Sequence, residues 1–123
     1  MSVVVDTSIL VDALRASEPA LDYLGSLPQR PSASEVTRVE VLPGVRSGER
    51  RRTEQLLFTV EWVPVDEAVA RQAGRLGREY RRSHPGVAVA DLVIAGTAVR
   101  ADLPLATRNV RHFPMFEGLR APY

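Results

Sequence analysis

The stretch Ser2-Val3-Val4-Val5-Asp6 opens the chain and is the clearest indication of its fold. An apolar run that ends in a turn-like sequence, here Asp6-Thr7-Ser8, is typical of a short buried strand. Residues 103–106 form a second run of this kind, and residues 60–64 form a weaker one. Because helical segments separate these strands, the sequence predicts an α/β fold with a central parallel sheet flanked by helices on both faces.

Helical periodicity accounts for most of the remaining chain. Ser8 is expected to cap a helix that runs to about residue 14, and residues 19–27 form a second short helix. Residues 66–82, opened by Asp66, carry an apolar stripe along one face. Residues 89–100 are apolar nearly all round, as expected of a helix buried at the centre of a domain.

One further helix is expected in the first half of the chain. The sequence Ser32-Ala33-Ser34-Glu35 fits a capping box and is expected to open it. Pro43 removes a backbone donor, so the helix is expected to end or kink within residues 39–42. The charged residues 48–53 are predicted to form a turn between helices. The face of the helix defined by offsets of three, four and seven consists of Val36, Val39, Glu40 and Pro43. This spacing predicts that Glu40 lies on the apolar, buried face of the helix and not on its polar face.

Composition excludes several classes of protein. The 123 residues suffice for one domain, residues 1–123, and no apolar run approaches the length of a membrane span. Cysteine is absent, which excludes disulfides and thiolate chemistry. All 16 basic residues are arginine, so chemistry that needs a lysine is excluded too. The chain opens without the basic region of a signal peptide, and a cytoplasmic protein is the expectation.

Four acidic or amide side chains lie within or directly after apolar segments. A charge in such a place is costly unless something pairs with it, and carboxylates brought together repel one another. A divalent cation removes both costs, and oxygen ligands without histidine or cysteine suit Mg²⁺, with Mn²⁺ as a substitute. The sequence therefore predicts a metal site at the carboxyl edge of the sheet, where such folds bind ligands. Its candidate residues are Asp6, Glu40, Asp91 and Asn109.

Four motifs, in this order, resemble those of the PIN-domain ribonucleases, in particular the VapC-type toxins of bacterial toxin–antitoxin pairs. Their order and spacing cover nearly the whole chain. The motifs are Val5-Asp6-Thr7-Ser8-Ile9-Leu10-Val11-Asp12, Thr37-Arg38-Val39-Glu40-Val41-Leu42-Pro43-Gly44, Val89-Ala90-Asp91-Leu92-Val93-Ile94-Ala95 and Leu105-Ala106-Thr107-Arg108-Asn109-Val110-Arg111-His112-Phe113.

The resemblance implies a Mg²⁺-dependent endoribonuclease that hydrolyses RNA by metal-activated water. It also implies a homodimer and a small VapB-like antitoxin partner that inserts a peptide near the acidic groove, with no role for a membrane. Asp6, Glu40 and Asp91 match the three acids of the family motif, and Asn109 matches a fourth position that is often aspartate. Many relatives carry an acid where this chain has His112, which leaves the fourth ligand open.

Several polar residues have more than one interpretation at this stage. Thr107 either serves the acids or is a turn hydroxyl that bonds to the backbone. His112 either holds a phosphate, acts as an acid or is structural. Asp12 is expected at the surface and Asp102 in a turn. An arginine stripe on the predicted helix 66–82 either contacts RNA phosphates or is a solvated face. It consists of Arg71, Arg75, Arg78 and Arg82.

Two other functions remain open from the sequence. One is a phosphatase or phosphotransferase with Asp6 as the nucleophile, although such folds usually place a second acid where this chain has Ser8. The other is a catalytically weak PIN-like module that binds RNA or a partner. Metal-dependent cleavage of single-stranded RNA would exclude the module, and a phosphoryl group trapped on Asp6 would favour the phosphatase.

Overall fold

The computed structural model describes residues 2–123, in which four short strands form one parallel sheet. The strands lie in the order β3-β2-β1-β4, and Val4 pairs with Ser32 on one side and Leu105 on the other. The strands predicted at residues 2–5, 60–64 and 103–106 are confirmed, each shorter than expected. Their bounds are β1 Val4–Val5, β2 Ser32–Ser34, β3 Glu61–Val63 and β4 Leu105–Ala106.

Helices connect the strands throughout the described chain. Single 3₁₀ turns occur at Leu42–Gly44, Ser47–Glu49 and Val110–His112. Within residues 2–123, no helix combines the length and the apolar character needed to cross a membrane. The α-helices are α1 Thr7–Leu14, α2 Glu18–Ser26, α3 Glu35–Val41, α4 Arg50–Phe58, α5 Glu67–Tyr80 and α6 Val89–Ala101.

The sheet lies between two apolar layers, which confirms the predicted α/β architecture. Successive side chains of a strand point to opposite faces, so Val4 and Val5 enter different layers. Val4 packs in one core cluster with residues of α5 and α6, including Leu76 and Ile94. Val5 packs in the other with residues of α1 and α4, including Leu10 and Leu57. β1 is therefore buried on both faces, as central strands of parallel sheets are.

Two predicted helix caps are wrong. Ser8 lies inside α1, and the N-cap position of that helix is Asp6. Ser32–Ser34 is strand β2, and α3 begins only at Glu35, with Ser34 Oγ accepting a hydrogen bond from the Val36 N–H (3.1 Å). The capping-box pattern is local, whereas β2 is fixed by parallel pairing with strands on both sides, which the local pattern does not contain.

The predicted buried face of α3 is also wrong. Val39 is 68% exposed and Glu40 is exposed, whereas Thr37 and Val41 are buried. This helix has only seven residues and contacts both α1 and α6, so its buried positions are set by those neighbours. Thr37 therefore occupies the core, although the apolar pattern predicted that Val39 would be buried. The expected end of the helix near residues 39–42 is confirmed by the 3₁₀ turn at Leu42–Gly44.

The predicted turn at residues 48–53 is largely helix. α4 begins at Arg50, and its first turn contains the charged residues that suggested a loop. Thr53 and Leu57 are buried four residues apart, while Arg50, Arg51 and Arg52 stay on the solvent side. A helix with so few apolar residues depends on tertiary packing, which a local pattern underestimates.

The two long helices, α5 and α6, approach each other closely at Gly96. A Cβ at this position would lie 3.1 Å from the Val69 carbonyl oxygen and 3.1 Å from the Ala73 nitrogen. Those atoms belong to the backbone of α5, so they cannot rotate away as a side chain would. Gly74, in α5, is the opposite case, because a Cβ there would meet nothing within 4 Å.

We expect Gly96→Ala to lower the free energy of unfolding by about 1–3 kcal/mol, because the added methyl overpacks the helix contact. Gly74→Ala is the matched control, and it should stabilise the chain by up to about 1 kcal/mol through helix propensity. Urea unfolding followed by circular dichroism measures both. Equal stabilisation by the two substitutions would contradict the close approach of α5 and α6.

Candidate active site

The site is built where β1 and β4 end, at the carboxyl edge of the sheet. Asp6 follows β1 directly and Thr107 follows β4, so pairing of these strands brings them together from opposite ends of the chain. The Asp6 N–H donates to the Ala106 carbonyl oxygen (2.9 Å), which continues the ladder by one residue. The sheet therefore fixes the backbone from which the Asp6 side chain projects.

Two hydroxyl groups hold the Asp6 carboxylate, which is only 3% exposed. Ser8 Oγ donates to Asp6 Oδ2 (2.8 Å), and Thr107 Oγ1 donates to the same oxygen (2.7 Å). Thr107 Oγ1 in turn accepts the Asn109 N–H (2.9 Å), and Ser8 Oγ accepts the Arg108 N–H (3.1 Å). Both interpretations of Thr107 are therefore confirmed, because its hydroxyl group donates to Asp6 and also accepts a backbone N–H of the turn.

Asp91 reaches the site from the first turn of α6. Its Oδ2 accepts the Ala88 N–H (2.9 Å), and His112 Nδ1 lies 3.2 Å from the same oxygen. Burial raises the pKa of Asp91 above its ordinary value, and the negative charge of Asp6 acts in the same direction. The Ala88 hydrogen bond and His112 oppose this shift without cancelling it. The two aspartates are thus electrostatically coupled.

Glu40 lies at the rim of the site. Thr7 Oγ1 donates to Glu40 Oε1 (2.6 Å) and lies 3.0 Å from the buried Thr37 Oγ1. The first residue of α1 and the core threonine of α3 therefore set the position of the glutamate. The helical spacing predicted an apolar face for Glu40, but Glu40 is exposed and its carboxylate accepts a hydrogen bond from the Thr7 hydroxyl group.

A groove of about 500 Å³ contains all four predicted residues. We call it the acidic groove. The structure thus brings together side chains from four separate motifs, and it adds His112 and Asp12, which the sequence left undecided or assigned to the surface. The acidic groove is lined by Asp6, Thr7, Ser8, Val11, Asp12, Arg15, Glu40, Ala88, Asp91, Arg108, Asn109 and His112.

The two aspartates each keep one oxygen available to a cation. All the hydrogen bonds described above reach Asp6 and Asp91 at Oδ2, which leaves both Oδ1 atoms without a donor in residues 2–123. Every buried side-chain oxygen or nitrogen in this part of the chain has a hydrogen-bond partner. The two Oδ1 atoms are therefore open to the groove, and their donor chemistry fits Mg²⁺.

The site is not a closed cage of ligands. Within the described residues, no three histidine, cysteine, aspartate or glutamate side chains are grouped so as to hold a metal ion by themselves. Mg²⁺ keeps several of its waters and is usually bound through one or two carboxylates. The aspartate pair satisfies that need, and Glu40 and Asn109 line the same groove.

A network on one wall of the groove escaped sequence analysis. Tyr123 donates from its hydroxyl group to Asp12 Oδ2 (2.9 Å), and the Arg108 guanidinium lies 4.7 Å from the centroid of its ring. Burial and this hydrogen bond raise the pKa of Tyr123 to about 12, so the phenol stays protonated. Asp12 was expected at the surface. A local sequence pattern does not reveal its contact with Tyr123, because the two residues are 111 positions apart. Asp102 is the exposed αL residue after α6, as expected of a turn residue.

Comparisons with known proteins agree with this geometry. A family model described as the PIN domain matches residues 3–116. Ribonuclease VapC19 of Mycobacterium tuberculosis is 45% identical over 122 residues, which cover 97% of this chain and 98% of the relative. Ribonuclease VapC10 of the same species is 43% identical over 123 residues, covering 98% and 92% respectively.

A solved structure has the same fold over its full length. It is described as a toxin–antitoxin complex from Klebsiella pneumoniae, and its matching chain superimposes with a TM-score of 0.85 at 28% identity. The match covers 99% of this chain and 98% of that one. The fold of this chain is therefore shared with a chain of a known toxin–antitoxin complex.

The raised pKa of Asp91 predicts a specific dependence of stability on pH. A carboxyl group with a raised pKa binds protons more strongly in the folded chain, so its ionisation destabilises the fold as pH rises through the folded pKa. Without metal, Asp91→Asn should therefore raise the melting temperature at neutral pH. The gain should disappear below the ordinary aspartate value of 3.8, where the carboxyl group is protonated in both states.

Thermal unfolding in EDTA at a series of pH values measures this effect. Asp102→Asn is the matched control, because the residue is exposed and an asparagine tolerates its left-handed backbone. The expected result is a gain for Asp91→Asn that grows with pH and no such trend for the control. A loss of stability for Asp91→Asn at neutral pH would contradict the raised pKa of Asp91.

Proposed function

The chain belongs to the PIN-domain family, and from this premise we propose that it is a Mg²⁺-dependent endoribonuclease, the toxin of a type II toxin–antitoxin pair. The observation that carries the proposal is the pair formed by Asp6 and Asp91. Both carboxylates are fixed at Oδ2 and open at Oδ1, and they lie in one groove. The names of the curated relatives, which are ribonucleases, support the same activity.

In phosphodiester hydrolysis, the residues of the acidic groove would have different roles. Asp6 and Asp91 would hold Mg²⁺, with Glu40 in contact through water. When bound, Mg²⁺ supplies a Lewis acid that polarises the phosphoryl group and makes water a stronger nucleophile. Asn109 would orient a water molecule or a phosphate oxygen with its side-chain amide, since it lines the groove and its backbone is tied to Thr107.

Three further residues would keep the aspartates in position. Ser8 and Thr107 donate to Asp6, so they set the direction of its open oxygen. His112 lies against Asp91 at the position where many relatives carry an acid. At this position, His112 Nδ1 would hold the Asp91 carboxylate in place and would not itself bind the metal. Removing such an outer contact commonly lowers the metal affinity or the activity of a site by about 10–100-fold.

The proposal includes a small VapB-like antitoxin and a homodimer. The solved structure with the same fold is described as a toxin–antitoxin complex. A partner that blocks the acidic groove needs a cationic side chain, most simply an arginine, directed at Asp6, Glu40 and Asp91. A guanidinium pairs well with clustered carboxylates, and it meets the same electrostatic need as Mg²⁺.

We expect cleavage of single-stranded RNA to require Mg²⁺ or Mn²⁺ and to stop in EDTA. Asp91→Asn should lower kcat/KM by at least about 100-fold, because a ligand should cost no less than the outer contacts that orient it. Asp102→Asn, which makes the same chemical change at the exposed end of α6, should retain full activity. Cleavage assays on labelled RNA measure all three, and full activity in EDTA would rule out the proposed mechanism.

Expression of this chain alone in bacteria is expected to arrest growth, and Asp6→Asn should abolish the arrest. The substitution removes the charge at the groove but keeps the shape that Ser8 and Thr107 contact, so the fold should persist. Co-expression of the neighbouring small gene should restore growth. Growth curves with a matched expression level measure the effect, and an Asp6→Asn chain as toxic as the unmodified one would mean that toxicity arises elsewhere.

A further inference from the structure

A second groove, of about 580 Å³, adjoins the acidic groove and lies between α1, α3 and the start of α4. Val11, Arg15 and Glu40 line both grooves. The second groove differs in charge, because its lining holds three arginines, Arg15, Arg46 and Arg52, against two glutamates, Glu40 and Glu49. We call it the arginine groove.

The three arginines differ in whether their side chains contact other parts of the chain. Arg52 Nη2 donates to the Leu14 carbonyl oxygen at the end of α1 (2.8 Å) and lies 3.9 Å from Glu49 Oε2. Arg15 and Arg46 are exposed, and neither takes part in an ion pair within residues 2–123. Their charges are therefore available to a ligand, while Arg52 helps to fix the wall behind them.

The backbone of α1 holds Arg15 at the junction of the grooves. The helix ends in a Schellman motif, in which the Ser17 N–H donates to the Asp12 carbonyl oxygen (3.0 Å) and the Ala16 N–H to that of Ala13 (3.0 Å). Ala16 adopts φ 60°, a left-handed conformation that is costly for alanine. This sharp end of the helix places Arg15 where it lines both grooves.

Arginines elsewhere in the chain are arranged differently. In α5, Arg71 pairs with Glu67 (2.8 Å) and Arg75 donates to Gln72 (3.0 Å). Neither of these residues, nor Arg78, lines the acidic groove or the arginine groove. The stripe on α5 that the sequence offered as a path for RNA is thus separate from the site.

From this arrangement we infer that the arginine groove binds the phosphodiester backbone of single-stranded RNA next to the cut site. The inference rests on the proposed function and names the path of the substrate. A strand that runs from the acidic groove into the arginine groove would pass Arg15, which lines both grooves, before Arg46, which lines only the second. The planar guanidinium is suited to phosphate oxygens, and such contacts position a strand without reading its sequence.

Binding of a fluorescein-labelled, unstructured RNA to the full chain tests the inference. The Asp91→Asn background prevents cleavage during the measurement. In that background, Arg15→Gln with Arg46→Gln should remove two phosphate contacts. The slope of log affinity against log salt should fall by about 1.4, which corresponds to about 25-fold weaker binding at about 0.1 M salt. Arg75→Gln with Arg78→Gln is the matched control, with the same change in net charge and no expected loss.

Each outcome decides the inference. Loss confined to the Arg15 and Arg46 pair supports it. Equal loss for the two pairs, or loss only for the α5 pair, overturns it in favour of a diffuse charge effect or a path along α5. Normal RNA binding together with lost binding of the neighbouring gene's product also overturns it, because the groove would then be a protein site. Failure of the unmodified chain to cleave RNA with Mg²⁺ would instead refute the proposed function. The binding measurement would still show whether RNA contacts the arginine groove.

Discussion

The Asp6 carboxylate is buried at the carboxyl edge of the sheet, and the site is organised around the cost of keeping that charge away from water. Ser8 and Thr107 repay part of that cost by donating to a single oxygen. The other oxygen remains open to the groove beside Asp91, whose pKa is raised by burial and by the charge of Asp6. The fold thus holds two like charges close enough to interact, and a bound cation would relieve both their repulsion and the cost of their burial.

The scaffold explains how so small a protein maintains this arrangement. β4, at one side of the sheet, pairs with the central strand β1, and the two strands bring Asp6 and Thr107 together from opposite ends of the chain. Asp91 depends on the position of α6, which the close approach to α5 at Gly96 determines. Rigid elements therefore position the aspartate pair, whereas Glu40 and the arginine groove lie on short helices and turns at the surface.

Sequence reasoning succeeded where the signal was local or followed from sheet topology. Asp6 and Asn109 could be placed at one edge because each follows a buried strand, and Asp91 because it opens an apolar helix. It failed where distant contacts decide the outcome, as when pairing on both sides turns Ser32–Ser34 into a strand. Glu40 was placed in the site, but on an α3 face that is exposed. The contact of Tyr123 with Asp12 leaves no local pattern at all.

Anomalous diffraction from crystals grown with Mn²⁺ is the most direct test of the claim that the aspartate pair holds a divalent cation. The account predicts a strong anomalous peak between the open Oδ1 atoms of Asp6 and Asp91, and its loss in crystals of Asp91→Asn. An ordered acidic groove with no peak there, or a peak bound by other residues alone, would contradict it. In that case, a proton or another positively charged group would have to offset the repulsion between Asp6 and Asp91.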